Sequence, residues 1–190
     1  MGERRRGGTT VYLLRHAEST VIPALPESDW PLSEAGVQQA GDLRACLEPL
    51  GVDHVVSSPF VRAVDTVRPF CEAAGIELRV DHDLRERRLS GQLIRDFEGT
   101  LRKTWEDFDL ALPGGESSRA CQERVAGCIS RLAAAAQGQT LLVSSHGNAI
   151  ALFLNMLDPA FGWSEWRAMR NPDLFRIRLD GPCWGPVVRL

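Results

Sequence analysis

With 190 residues, 44% of them hydrophobic, the chain can bury one good core and hardly two, so a single domain spanning 1–190 is expected. A net charge of −3 and a pI near 5.8 argue against broad attraction to nucleic acid, and no stretch is long and apolar enough to span a membrane. Five cysteines, an odd count without a CxxC pair, argue against a disulfide framework or a zinc ribbon and point to a reducing, cytoplasmic compartment.

The opening MGERRRGG is basic and polar, read as a flexible tail over 1–8; it lacks a signal peptide's apolar segment, and Arg6 stands where a myristoylation motif needs Ser or Thr. Val11, Tyr12, Leu13 and Leu14 then form a short apolar run, the pattern of an interior strand buried on both faces, and it delivers Arg15 and His16 at its carboxyl end. LSEAGVQQAGDLRACLEPLG predicts a helix capped by Ser33 and stopped by Gly51. DHVVSS (53–58) predicts a strand that breaks at Pro59 into a second helical pattern, FVRAVDTVRPFCEAAG, closed by Gly75 ahead of a strand in IELRV. From 83 to 118 the pattern blurs into charge and aromatics, an excursion from the sheet. GGES (114–117) opens an amphipathic helix through RVAGCISRLAAAAQG. TLLVSSHGNAIALFLNML repeats the opening theme of a strand, a histidine and a helix, and extended segments near 174–179 and 186–190 close the sheet. The sequence contains no repeat, linker or low-complexity tract.

Two strand-to-helix corners therefore each deliver a histidine, His16 and His146, and a third delivers Arg62 one helical turn in. In open α/β sheets ligands bind at that edge, so cations beside imidazoles there suit an anion, and arginine suits phosphate in particular. Each residue alone is ordinary; their joint placement is not. His54 and His82 lack such placement and are read as structural. CWGPVVR (183–189) has the Cys, five residues, Arg spacing of a cysteine-nucleophile phosphate loop, but Pro186 has no N–H to donate to an anion and no helix follows, so that chemistry is rejected.

These segments resemble the histidine phosphatase superfamily, in its phosphoglycerate-mutase-like branch, from about residue 11 to 155. LLRHAEST is similar to its Arg-His-Gly signature, PLSEAGVQQA to its Pro-Leu-Thr segment and SSPFVRAVDT to its Ser-Ser-Pro and Arg-Ala block. LRERRLSG matches the stretch carrying its acid, PGGES its return helix, and SSHGN its second histidine. The resemblance implies an α/β fold, a mostly parallel central sheet with helices on both faces and a small lid over about 83–118.

It also implies a mechanism. A neutral His16 attacks phosphorus and holds the phosphoryl group, splitting one displacement into two, and a backbone carbonyl near residue 17 is expected to fix its tautomer. Arg15, Arg62 and a protonated His146 form a cationic clamp that needs no metal or other cofactor. Glu86 is the proton donor, its pKa raised by burial; the competing reading pairs it with Arg85, Arg87 or Arg88 on the surface. Gly147 and Ser19 join Arg15, Arg62 and His146 in binding the substrate phosphate. Glu18 is read mainly as a favourable contact at a helix amino end. Ala17 replaces the family's Gly, and Ile22 stands where it often has Asn, so that either Ser19, Ser117 or Ser145 substitutes or the pocket binds phosphate less tightly.

The function expected is a phosphomonoester hydrolase acting on a small phosphorylated metabolite. Arg87 resembles the mutases, but the lid is short and lacks their Arg-Arg-Ser-Tyr segment, so a phosphatase is favoured. A mutase and a non-catalytic phosphate-recognising protein are the alternatives. Trp105 and Phe108 in the lid are either packing or a substrate wall. Trp163 and Trp166 form a buried aromatic pair or line a homodimer contact.

Overall fold

The computed structural model describes residues 7–190, so most of the expected tail, residues 1–6, lies outside the described residues. The first strand, β1 (Thr9–Arg15), starts two residues before the apolar run. Val11 and Leu13 face one way and Tyr12 and Leu14 the other, and all four are buried. Burying each such aliphatic side chain contributes about 1.5–3 kcal/mol, which fixes β1 in the middle of a sheet.

The remaining strands are β2 (His54–Ser57), β3 (Leu78–Val80), β4 (Thr140–Ser145), β5 (Asp173–Asp180), β6 (Cys183–Trp184) and β7 (Val188–Arg189). Their order is β3-β2-β4-β1-β5-β6, with β7 also on β5. The first four run parallel, while β5 is antiparallel to β1, β6 and β7. The sheet is mixed and mostly parallel, as expected.

Two helices, α1 (Glu34–Leu47) and α2 (Val61–Ala74), bury Leu43, Leu47, Val67 and Phe70 against Tyr12, Leu14, Val55 and Leu142. On the opposite face α4 (Ser118–Ala135) and α5 (Gly147–Leu157) pack Val125, Ile129, Ile150 and Phe153 against Val11, Leu13, Leu141 and Val143. The punctuation read from the sequence is observed at Ser33, which caps α1 through its hydroxyl, and at Gly51 and Gly75, which take left-handed backbone where the chain turns out of a helix; Ser117 also proves to cap α4 through its hydroxyl.

The excursion contains a helix that the sequence pattern did not predict, α3 (Phe97–Glu106), capped by Asp96. Its Gly99 and two threonines blunt the helical signal. Trp105 and Phe108 meet edge-to-face at 5.9 Å and pack against the α4–α5 core, which favours packing over a substrate wall. In the short α6 (Trp163–Arg167), Trp163 and Trp166 stack at 4.9 Å and are half-buried, Trp166 against the core. All five cysteines are free. Among the described residues no helix is long and apolar enough to cross a membrane.

Candidate active site

Sheet order brings the corners together. Arg15 on β1 lies beside Ser145 on β4, and the His16 N–H donates to the Ser145 carbonyl at 3.0 Å, so the two histidines leave adjacent strands side by side. Their ring centroids are 5.2 Å apart. On the other flank of β4, the Ser58 N–H donates to the Ser144 carbonyl as the chain leaves β2, and the Ser58 hydroxyl lies 2.7 Å from His146 Nε2. The turn into α2 then sends Arg62 back over the strand ends.

The local sequence sets the His16 tautomer. Its Nδ1 lies 2.7 Å from the Ala17 carbonyl, which can only accept, so Nδ1 carries the proton and Nε2 keeps its lone pair. Arg62 Nε donates to Nε2 at 3.1 Å. The corner is held by the Ala17 N–H on Thr66 Oγ1 at 2.9 Å, and by Asn171 Nδ2 on the His16 carbonyl at 2.8 Å. The methyl of Ala17 is fully buried, so the departure from Gly is accommodated by packing.

Burial drives the His16 pKa down to about 3, the Ala17 hydrogen bond opposes this, and Arg62 and Arg15 add to it. His146, wholly buried, is also lowered, first by burial and then by His16, Arg62 and Arg15. Burial and the neighbouring Arg62 and Arg15 thus work against the protonated His146 that the resemblance implies, and the negative charge of a bound phosphate would work for it. His146 Nδ1 is buried and has no partner among the described residues.

Arg15 donates from Nη1 to the Met169 carbonyl at 3.0 Å and leaves Nε buried with no partner among the described residues. Its guanidinium lies against Gly147, where a Cβ would sit 3.2 Å from Arg15 Cζ and Nε; glycine permits that approach. Glu86 accepts from the Arg87 N–H at 2.8 Å, the Asn148 N–H at 3.2 Å and the Ala149 N–H at 3.0 Å, the latter two on the first turn of α5. Burial raises its pKa, backbone N–H groups oppose, and the Glu27 carboxylate adds to the rise.

The surface-pair reading of Glu86 is overturned. Arg85 pairs with Asp83, Arg88 turns to Ser90, and the Arg87 guanidinium is a buried brace donating to Thr104, Ser118 and the Glu116 carbonyl. Glu18 accepts from the Ser33 hydroxyl at 2.7 Å at the amino end of α1, in line with the dipole reading. Ser19 pairs with Leu32 through backbone, and no hydrogen bond of its hydroxyl is formed among the described residues. Ser145 donates to the Leu84 carbonyl and Ser117 caps α4, so neither hydroxyl is free to replace an Asn at Ile22.

Sequence reading missed several contributors. Ser58 and Thr66 lay inside the SSPFVRAVDT motif without a role. Asn171 and Glu27 lay in loops with no periodic signal. Glu27 Oε1 accepts from Arg62 Nη2 at 2.9 Å. Beside Arg15 a cleft of about 290 Å³ opens, lined by Phe97, Leu101, Trp166, Met169 and Asn171. A larger hollow of about 480 Å³ lies at the amino-terminal ends of the strands, among His54, Val56, Ile76 and Leu132, away from the histidine corners.

A cationic pocket around a tautomerically fixed imidazole, with a carboxyl of raised pKa alongside, can exchange a phosphoryl group and a proton. Comparison with known proteins agrees. Residues 11–186 match the family model described as the histidine phosphatase superfamily, branch 1. The chain is 30% identical over 186 residues to a Salmonella paratyphi B protein named "Probable phosphoglycerate mutase GpmB", covering 92% of this chain and 86% of that one. Among solved structures it is similar to a mycobacterial glucosyl-3-phosphoglycerate phosphatase complexed with VO3, with TM-score 0.76 and 25% identity over 95% of this chain and 97% of that one. The fold is also that of Bacillus stearothermophilus YhfR, with TM-score 0.76 and 23% identity over 93% of this chain and 94% of that one.

Proposed function

The chain belongs to the histidine phosphatase superfamily, branch 1, and from that premise we propose that it is a phosphomonoester hydrolase that works without a metal through a phosphohistidine at His16. The observation that carries this reading is the His16 tautomer: Nδ1–H on the Ala17 carbonyl leaves the Nε2 lone pair facing the Arg62 guanidinium. Nε2 attacks phosphorus, the bond from phosphorus to the ester oxygen breaks, and the Glu86 proton goes to that oxygen. Glu86, now a carboxylate, takes a proton from water; the water oxygen attacks phosphorus, and the P–N electron pair returns to Nε2. Arg15 and Arg62 stabilise charge on the equatorial oxygens, which is most of what a loose phosphoryl transition state needs. His146 joins them once the phosphate charge draws a proton to it.

Phosphatase is preferred to mutase because a mutase must also grip the second anionic end of its substrate. Arg87, the residue most like the mutases, is buried and turned into the brace beneath the lid, to which it donates from Nε and Nη1. The cleft beside Arg15 has room for a small, partly apolar leaving group. Phosphate release from p-nitrophenyl phosphate in excess chelator, with mass detection of phosphohistidine, is the test. Wild type should turn over and His16→Ala should not, while His146→Ala keeps a trace. Turnover that needs added magnesium, or an active His16→Ala, would remove the mechanism, and binding of phosphate with no turnover would favour the non-catalytic alternative.

A further inference from the structure

Resting on the phosphatase reading, we propose that Glu27 selects the charge of the ester, favouring a neutral or cationic leaving group over one that carries a second negative charge. Glu27 opens a short turn (Glu27–Asp29) in the loop between β1 and α1, with its side chain 44% exposed, and reaches a guanidinium whose side chain is only 5% exposed. Arg62 Nη1 donates to the Glu27 backbone carbonyl at 2.7 Å and Nη2 to Oε1 at 2.9 Å, while Nε faces the nucleophilic nitrogen of His16 at 3.1 Å. One guanidinium thus spans nucleophile and carboxylate, and Glu27 stands a guanidinium's width from the point of attack.

Phe60 and Trp30, with ring centroids 4.9 Å and 5.8 Å from Arg62 Cζ, hold that guanidinium in place. When a phosphoryl group occupies the inner side of Arg62, its charge is shared, and Glu27 remains at the mouth as a half-exposed anion. A carboxylate there accepts hydrogen bonds from hydroxyl or ammonium groups and repels a second carboxylate or phosphate, which is discrimination by a built-in penalty. On the lid side Glu98 is already paired with Arg167 at 3.0 Å, so its charge is balanced. The Glu27 carboxylate adds a small part to the raised pKa of Glu86, behind burial.

The test is Glu27→Gln, which keeps an oxygen to accept from Arg62 and leaves the backbone bond in place. Two nearly isosteric probes separate charge from shape: sn-glycerol 3-phosphate, with a neutral hydroxymethyl, and 3-phosphoglycerate, with a carboxylate in its place. The ratio of their kcat/KM values should move about two- to fivefold toward 3-phosphoglycerate, the scale of a partly exposed charge pair. Calorimetric binding of the same two esters should show the same shift without depending on turnover. Equal gains for both esters would mean that Glu27 only competes with phosphate for Arg62, and would overturn the selection. If the wild type releases no phosphate even from p-nitrophenyl phosphate, the phosphatase reading fails, and the binding ratio of the two esters still decides for or against Glu27.

Discussion

Glu86 shows how one side chain can be tuned by opposed effects. Its oxygens meet three backbone N–H groups, which alone would favour the carboxylate, yet burial wins and raises the pKa. A carboxyl whose pKa is raised holds its proton more readily and is better suited to give it to a leaving alkoxide. Glu86→Gln keeps the size and the acceptor oxygen and removes the proton, so alkyl phosphates should slow by about 10²–10⁴-fold while aryl phosphates, whose phenolates leave unaided, lose far less. Phosphate release from both ester types reads the ratio. Equal slowing would make Glu86 a structural residue of the α5 turn.

Between β3 and α4, a buried cation helps tie the lid to the body. Arg87 Nη1 donates to Thr104 on α3 at 2.9 Å and to Ser118 on α4 at 2.8 Å, and Nε donates to the Glu116 carbonyl at 2.9 Å. Arg87→Met preserves length and apolar bulk but leaves the Glu116 carbonyl without this donor. With charged hydrogen bonds contributing about 1.5–3 kcal/mol each, and partial compensation between the two hydroxyls, a loss of about 3 kcal/mol in unfolding free energy is expected. Limited proteolysis should cut within 97–106 faster than in the wild type. Undiminished protection there would show that Leu101, Trp105 and Phe108 hold the lid by packing alone.

Acid sensitivity is a property of the whole molecule, because both site histidines are buried between the sheet and the helices. The folded pKa of His16 lies near 3 against an ordinary 6.5, and that of His146 is lowered as well. Below 6.5 the unfolded chain therefore binds protons that the folded chain refuses, and stability falls as pH drops from 6.5 toward 3. Each histidine lowers the folding constant by up to tenfold per pH unit in that window. Glu86, raised in the fold, works in the opposite sense above its ordinary 4.5, but one carboxyl opposes two imidazoles. Urea unfolding at pH 7.5 and 5.5 measures the slope, and His16→Ala should flatten it by one proton. An unchanged slope would mean that His16 is charged in the folded state.

The sequence by itself determined the strands with apolar residues on both faces, the helix capped by Ser33 and the one opened by GGES, the turns at Gly51 and Gly75, and the corners that carry Arg15, His16, Arg62 and His146, while Glu86 followed from the family resemblance of LRERRLSG alone. Those signals are local: periodicity, a capping hydroxyl and a glycine free to take positive φ act within a few residues of chain. Helix α3 was not legible because its Gly99 and threonines weaken local propensity, and burial of Leu101 and Thr104 supplies what propensity does not. Only the tertiary structure decided that Arg87 braces the lid, that Asn171 holds the His16 carbonyl, and that Glu27 lies on Arg62, because these contacts join residues 17 to 155 positions apart. Burial, which depends on every layer packed over the strand ends, is the main cause that lowers the pKa of both histidines and raises that of Glu86.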